Sequence, residues 1–159
     1  MFKFHSLAAL QHVKNNPRTK AQSDLLKGQV VVVDEVAGTA KAPATTSEAE
    51  GAFHVVNNII DKPEVRNSAD FKVERDEYVK ADFLTDANHL LAELSDDVLV
   101  DAYSGLAQND VLVPAGDGSG NWVFADGTNI VASNYKVNLS IVEKTTLGGN
   151  GLLVKITIN

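Results

Sequence analysis

The sequence has no cysteine, one methionine, one tryptophan and four prolines in 159 residues. The lack of cysteine excludes a disulfide framework, a thiol nucleophile and a thiolate zinc site, and it leaves reducing and oxidising compartments equally open. No run approaches the roughly 18 uninterrupted apolar residues of a membrane span. The opening stretch from Met1 to Lys14 is broken by His5 and Gln11 and is too short for a signal segment, so it reads as mature sequence of a soluble protein. The length suits a single domain, which at this size buries roughly two-thirds of its unfolded surface and needs no metal or disulfide.

Catalytic signatures are also missing. His5, His12, His54 and His89 have no pair at the i, i+2 or i, i+4 spacing that aims two imidazoles at one metal. Ser104-Gly105 and Ser119-Gly120 lie outside any Gly-x-Ser-x-Gly elbow. Gly116-Asp117-Gly118-Ser119-Gly120 has the composition of a phosphate loop, but no Lys-Ser or Lys-Thr follows it. Asp117, Ser119 and Asn121 alternate like the first ligands of a calcium loop, but no bidentate glutamate follows. The acidic clusters Asp96-Asp97 and Glu74, Asp76, Glu77 suit turns and strand edges better than an acid/base pair. Asn138-Leu139-Ser140 matches a glycosylation acceptor but falls in an expected strand. The expectation is a protein with no catalytic residues, metal or cofactor.

Charge is unevenly placed. Residues 1 to 27 hold Lys3, Lys14, Arg18, Lys20 and Lys27 against Asp24 alone, a formal +4 that leaves −11 on the remainder of a chain carrying −7. The acidic remainder repels phosphate, and Trp122 has no flanking lysine or arginine, so nucleic acid is a poor partner. Leu7, Leu10 and Val13 have near-helical spacing that Pro17 and the polar run 15–20 cut short. Residues 1–27 therefore read as an extended basic arm, dispensable for folding, on a single β-rich domain of residues 28–159.

What is present is strand. Val30 to Val33 is apolar on both faces, and residues 53–60 suit a second buried strand ended by Asp61-Lys62-Pro63. Phe71 and Val73, then Val79, Ala81 and Phe83, alternate with charged residues across a turn and predict a hairpin. Residues 38–51 read as a surface loop. Asp86 can cap a short helix that carries Ala87, Leu90, Leu91 and Leu94 on one side. Short apolar runs then follow at 98–100, 111–113, 122–124 and 130–132. Tyr135 to Ile141 and Leu152 to Ile158 alternate on either side of Gly148-Gly149-Asn150-Gly151 and predict a second hairpin. The fold class this predicts is mainly β, a small antiparallel barrel or sandwich with a short helix and the N-terminal arm.

Three stretches, Lys27 to Asp34, Phe71 to Ala81 and Gly105 to Val113, together with the basic arm, resemble a head decoration (auxiliary capsid) protein of a tailed bacteriophage. The likeness is one of style over most of the chain. It implies a structural virion protein on the capsid exterior, with the major capsid protein and neighbouring copies of itself, often as trimers, for partners. The arm residues Phe2, Phe4, Leu7, Leu10, Lys14, Arg18 and Lys20 are the expected contacts. A tail-tube or neck component would share the β-rich character. In a different class, a carbohydrate-binding module would use Tyr103, Trp122 and Tyr135 as a stacking platform.

Overall fold

A computed structural model describes residues 1–5, 12–60, 71–147 and 149–159. The alternating C-terminal segments form its two longest strands, β12 (Val137–Thr146) and β13 (Gly151–Ile158). They pair directly and antiparallel from Val137 opposite Ile158 to Thr146 opposite Gly151. The inward series Val137, Leu139, Ile141 and Leu152, Val154, Ile156 is buried, while Lys155 is exposed. With β1 (Phe2–Phe4), β9 (Leu91–Ser95), β10 (Val111–Pro114) and β11 (Trp122–Phe124) they make a six-stranded antiparallel sheet in the order β1-β9-β13-β12-β10-β11.

A closed five-stranded barrel stands against one face of this sheet. It consists of β2 (Asn15–Ala21), β4 (Val30–Asp34), β5 (Thr39–Lys41), β6 (His54–Val56) and β8 (Tyr78–Phe83), in the order β2-β5-β4-β6-β8. All its pairings are antiparallel except β2 with β5. Alternation along the strands divides the apolar residues between two cores. Val31, Ala40, Val56, Val79 and Ala81 fill the barrel. Val30 and Val55 point the other way and join Trp122, Leu112, Leu139, Val154 and Phe2 in the larger core between barrel and sheet.

The unit is mainly β with a small barrel, as expected, but several elements differ from the sequence reading. Residues 1–5 and 12–27 are not a separate arm. Phe2 (0% exposed) and Phe4 (3%) are buried in the larger core, with β1 pairing to β9. β2 is a barrel stave, and β3 (Leu25–Leu26) pairs with β7 (Lys72–Val73). The predicted hairpin at 71–83 does turn at Glu74–Glu77, but its two strands join different sheets.

The helix expected after Asp86 is instead one 3-10 turn, Leu84–Ala87, followed by strand β9. His89 adopts φ 66°, which ends any helix there. Ala92 and Leu94 then alternate inward against Val154 and Leu152. An α-helix, α1 (Thr46–Gly51), lies in the stretch expected to be loop. Thr45 caps it by accepting from the Glu48 N–H at 3.2 Å, and the Glu48 carboxylate reaches back to the Ala44 N–H at 2.8 Å, in the manner of a capping box. Val98 belongs to a 3-10 turn, and residues 130–132 lead into another rather than a strand. Asp61-Lys62-Pro63 and Gly148 lie outside the described residues. No helix among the described residues is long and apolar enough to cross a membrane.

Barrel and sheet are joined around one glycine. Val30 N–H donates to Gly120 O at 2.7 Å, Trp122 Nε1–H to Gly28 O at 2.9 Å, and Gln29 Nε2–H to Asn121 Oδ1 at 2.9 Å. Gly120 has φ 73°, and a Cβ there would stand 2.8 Å from Val30 O, so both backbone geometry and space require glycine.

Candidate functional site

The end of the barrel formed by β2, β8 and the turn from β4 to β5 gathers exposed and unusually placed polar groups. Its origin is an irregularity in β2. Asn16 stands opposite Ala81 and Thr19 opposite Val79, so three residues on β2 span two on β8. Pro17 lies within this bulge, and proline has no N–H to give to a ladder. In a regular strand, positions three apart face opposite sides. The extra residue turns both Asn16 and Thr19 toward the barrel interior, where Val79 and Ala81 also point.

A cavity of about 310 Å³ opens here, lined by Asn15, Asn16, Arg18, Thr19, Glu35, Gly38 and Phe83. The Asn16 Nδ2–H donates to Glu35 Oε1 at 3.2 Å and its Oδ1 accepts from the Arg18 N–H at 3.0 Å. Thr19, 1% exposed, has no hydrogen-bond partner for Oγ1. His54 stands behind the Phe83 wall, in register with Phe83 and Val31, its ring 4.5 Å from that of Phe83 and 4.2 Å from that of Phe53. Its Nε2 is also buried without a partner. Burial first, and the Lys136 charge second, push the imidazole down from 6.5 to about 4, so it is neutral at physiological pH.

The outer surface of the barrel also carries apolar and basic groups. Lys20 pairs with Tyr78, its N–H donates to Gly38 O at 2.9 Å, and its Nζ lies 5.3 Å from the centre of the Tyr78 ring. Tyr78 O accepts from Asn58 Nδ2 at 2.9 Å, next to Ile59. Val36 (100% exposed), Ile59 (75%) and Tyr78 (61%) are exposed apolar residues of the barrel and its connections, and Lys20 lies beside Tyr78.

Among curated proteins no match is found, and no protein-family model matches the chain.

The expected contact residues separate into three groups. Phe2 and Phe4 are interior and unavailable to a neighbour. Leu7 and Leu10 lie outside the described residues. Lys14, Arg18 and Lys20 are exposed on or beside β2, with Lys14 and Lys20 at its two ends. The aromatic platform is not formed either: Trp122 is fully buried, Tyr135 is buried, and Tyr103 is half-buried with its hydroxyl accepting from the Thr145 N–H at 2.7 Å. Asn138 is buried in β12, where its Nδ2–H donates to Ala132 O at 3.1 Å.

Other acidic groups serve turns. Asp117 Oδ1 accepts from the Ser119 hydroxyl at 2.6 Å and N–H at 2.8 Å, which holds its carboxyl below the usual range. Asp126 is held lower still by the N–H groups of Ile130 and Thr128 and by the Asn129 side chain. Asp82 is buried on the barrel's outer face, and burial raises its pKa against the opposing effects of Asn57, 2.6 Å away, and Lys80. The residues missed in sequence were Thr19, Asn16 and Glu35. Pro17 within a strand was the available signal for the bulge.

Proposed function

We propose that the chain is a structural, non-catalytic protein of a tailed-phage virion that binds the outer surface of the capsid lattice and reinforces it. The major capsid protein and neighbouring copies of the chain are its partners. The observation that carries this reading is the exposure of Val36, Tyr78 and Ile59, with Lys20 beside Tyr78, on a closed barrel. A barrel has no open edge to propagate uncontrolled strand pairing, so contacts are made by side chains on a rigid frame. Exposed apolar residues beside the basic Lys20 suit an acidic protein neighbour. Contacts that are weak singly become strong when many copies engage a repeating surface at once.

The test is co-sedimentation with undecorated heads produced from the genome that encodes the chain. The wild-type chain is expected to sediment with heads. Tyr78→Asp and Val36→Asp, both at exposed positions, are expected to keep the circular dichroism spectrum and lose at least tenfold in retention. Absence of wild-type retention, or retention unchanged in both variants, contradicts the proposal.

A further inference from the structure

We propose that Lys80 and Asn57 become joined by an isopeptide bond, which the chain forms on itself at the Asp82 carboxyl with release of ammonia. This modification site lies on the barrel wall and does not depend on the capsid reading.

The strand register brings the three side chains together. β6 and β8 pair from His54 opposite Phe83 to Val56 opposite Ala81, and the Asn57 N–H continues the ladder to Lys80 O at 2.9 Å. Asn57 and Lys80 are therefore cross-strand neighbours, and the Cβ atoms of such pairs stand about 4.5–5.5 Å apart. Asp82 is two residues beyond Lys80 on β8 and shares its face. Val79 and Ala81 fill the barrel, so this face is the outer one. Amine and amide meet on one carboxyl: Lys80 Nζ lies 3.4 Å from Asp82 Oδ1, and Asn57 Nδ2–H donates to Asp82 Oδ2 at 2.6 Å.

Two features set this cluster apart from an ordinary ion pair. Asp82 and Asn57 are both buried, and Asp82 Oδ1 has no hydrogen-bond partner among the described residues, so the ammonium faces it without satisfying it. Lys27 is the other cation near the pair, and its pKa is lowered by burial first and by Lys80 second. Burial raises the Asp82 pKa even with both lysines close, which makes it a better acceptor of a proton from an amine than a free carboxylate is.

The step balances within the cluster. Asp82 takes a proton from the Lys80 ammonium, and the neutral Nζ attacks Asn57 Cγ. As the Nζ–Cγ bond forms, the carboxyl gives its proton to Nδ2 and receives one from Nζ. The Cγ–Nδ2 bond breaks and ammonia leaves. Asp82 ends protonated, which suits a buried carboxyl that has lost its cation. Lys80 is 31% exposed at its side chain and Asp82 2%, so ammonia has a way out while the acid stays shielded. Asp82 is the catalytic residue of this single, self-directed turnover. The bond ties β6 to β8 and closes residues 57–80 into a covalent ring, which restricts the unfolded chain.

The experiment is intact-mass and tryptic-peptide mass spectrometry of the purified full chain, with Lys80→Arg, Asn57→Ala and Asp82→Asn. The wild-type chain is expected to weigh one ammonia less than its sequence requires, to resist trypsin after Lys80, and to yield a peptide joined through Lys80 and Asn57. Lys80→Arg, which keeps the charge at a part-exposed position, is expected to fold and to retain its full mass, as is Asn57→Ala. Asp82→Asn is expected to slow linkage by roughly 100-fold or more, the usual loss for a general acid and base. A wild-type chain at full mass overturns the proposal. So does a link through Lys27, or an ammonia loss that persists in Asn57→Ala, as a succinimide at Asn150-Gly151 would give.

Discussion

Phe2 stands directly opposite Leu94 in the pairing of β1 with β9, and both side chains are fully buried in the core between sheet and barrel. Phe4 packs on Phe2 edge to face, the ring centroids 5.1 Å apart. The start of the chain is thus an edge strand of the six-stranded sheet, although its closest partner is some ninety residues distant.

Phe2→Ala is expected to cost about 3–5 kcal/mol, the usual range for emptying a buried phenylalanine site. Against a total stability of about 5–15 kcal/mol this is a large fraction. Urea denaturation measures it, and a midpoint unchanged from wild type would return residues 1–5 to the status of an arm. The chain 28–159, which lacks β1, β2 and β3, is expected not to fold, since the barrel would lose a stave.

The parts of the fold legible in sequence were those whose pattern was local. β12 and β13 alternate cleanly and are joined by a glycine-rich turn, so their pairing could be read directly. β9 was not legible as a strand because Ala87, Leu90, Leu91 and Leu94 satisfy a helical period as well as a strand, and only the positive φ of His89 separates the two. α1 carried a readable signature, Thr45 and Glu48 at capping-box spacing, within a composition that otherwise suggested loop. The arm was misread because β1 and β2 are short, polar at intervals, and stabilised by partners remote in sequence. The barrel-mouth site depends on a bulge that reverses the facing of Asn16 and Thr19, and ordinary strand alternation assigns them to opposite faces.

Val154→Asp or Ile156→Asp is expected to prevent stable folding, because each places an unpaired carboxylate at a fully buried position at a cost of several kcal/mol. Lys155→Asp, on the outward face, is expected to shift the melting temperature little. Circular dichroism melting distinguishes them, and equal damage at 154 and 155 would contradict the assigned faces.

Gly120→Ala is expected to destabilise by about 2–4 kcal/mol, combining a left-handed conformation with a Cβ placed against Val30 O. Gly118→Ala, also at positive φ but with open space around its Cβ, is expected to cost about 1–2 kcal/mol. Equal costs in chemical denaturation would remove the barrel-to-sheet junction as the reason for glycine at 120.

Acid sensitivity is expected from His54. Its folded pKa is depressed to about 4, so between 6.5 and 4 the unfolded chain binds a proton that the folded chain does not. Stability is fully present above about 6.5 and falls as pH drops through this window, by on the order of 2 kcal/mol after allowance for partial solvent screening. His54→Phe retains the aromatic packing against Phe53 and Phe83 and removes the titration. Denaturation curves at pH 7 and pH 4.5 are expected to diverge for wild type more than for His54→Phe, and identical pH dependence would remove His54 as the cause.

The most direct measurement of the proposed function is the copy number of this chain in particles produced from the genome that encodes it, with heads and tails separated before quantification. Lattice decoration predicts hundreds of copies per head and none on separated tails. A few copies per particle, or recovery with the tail fraction, contradicts it.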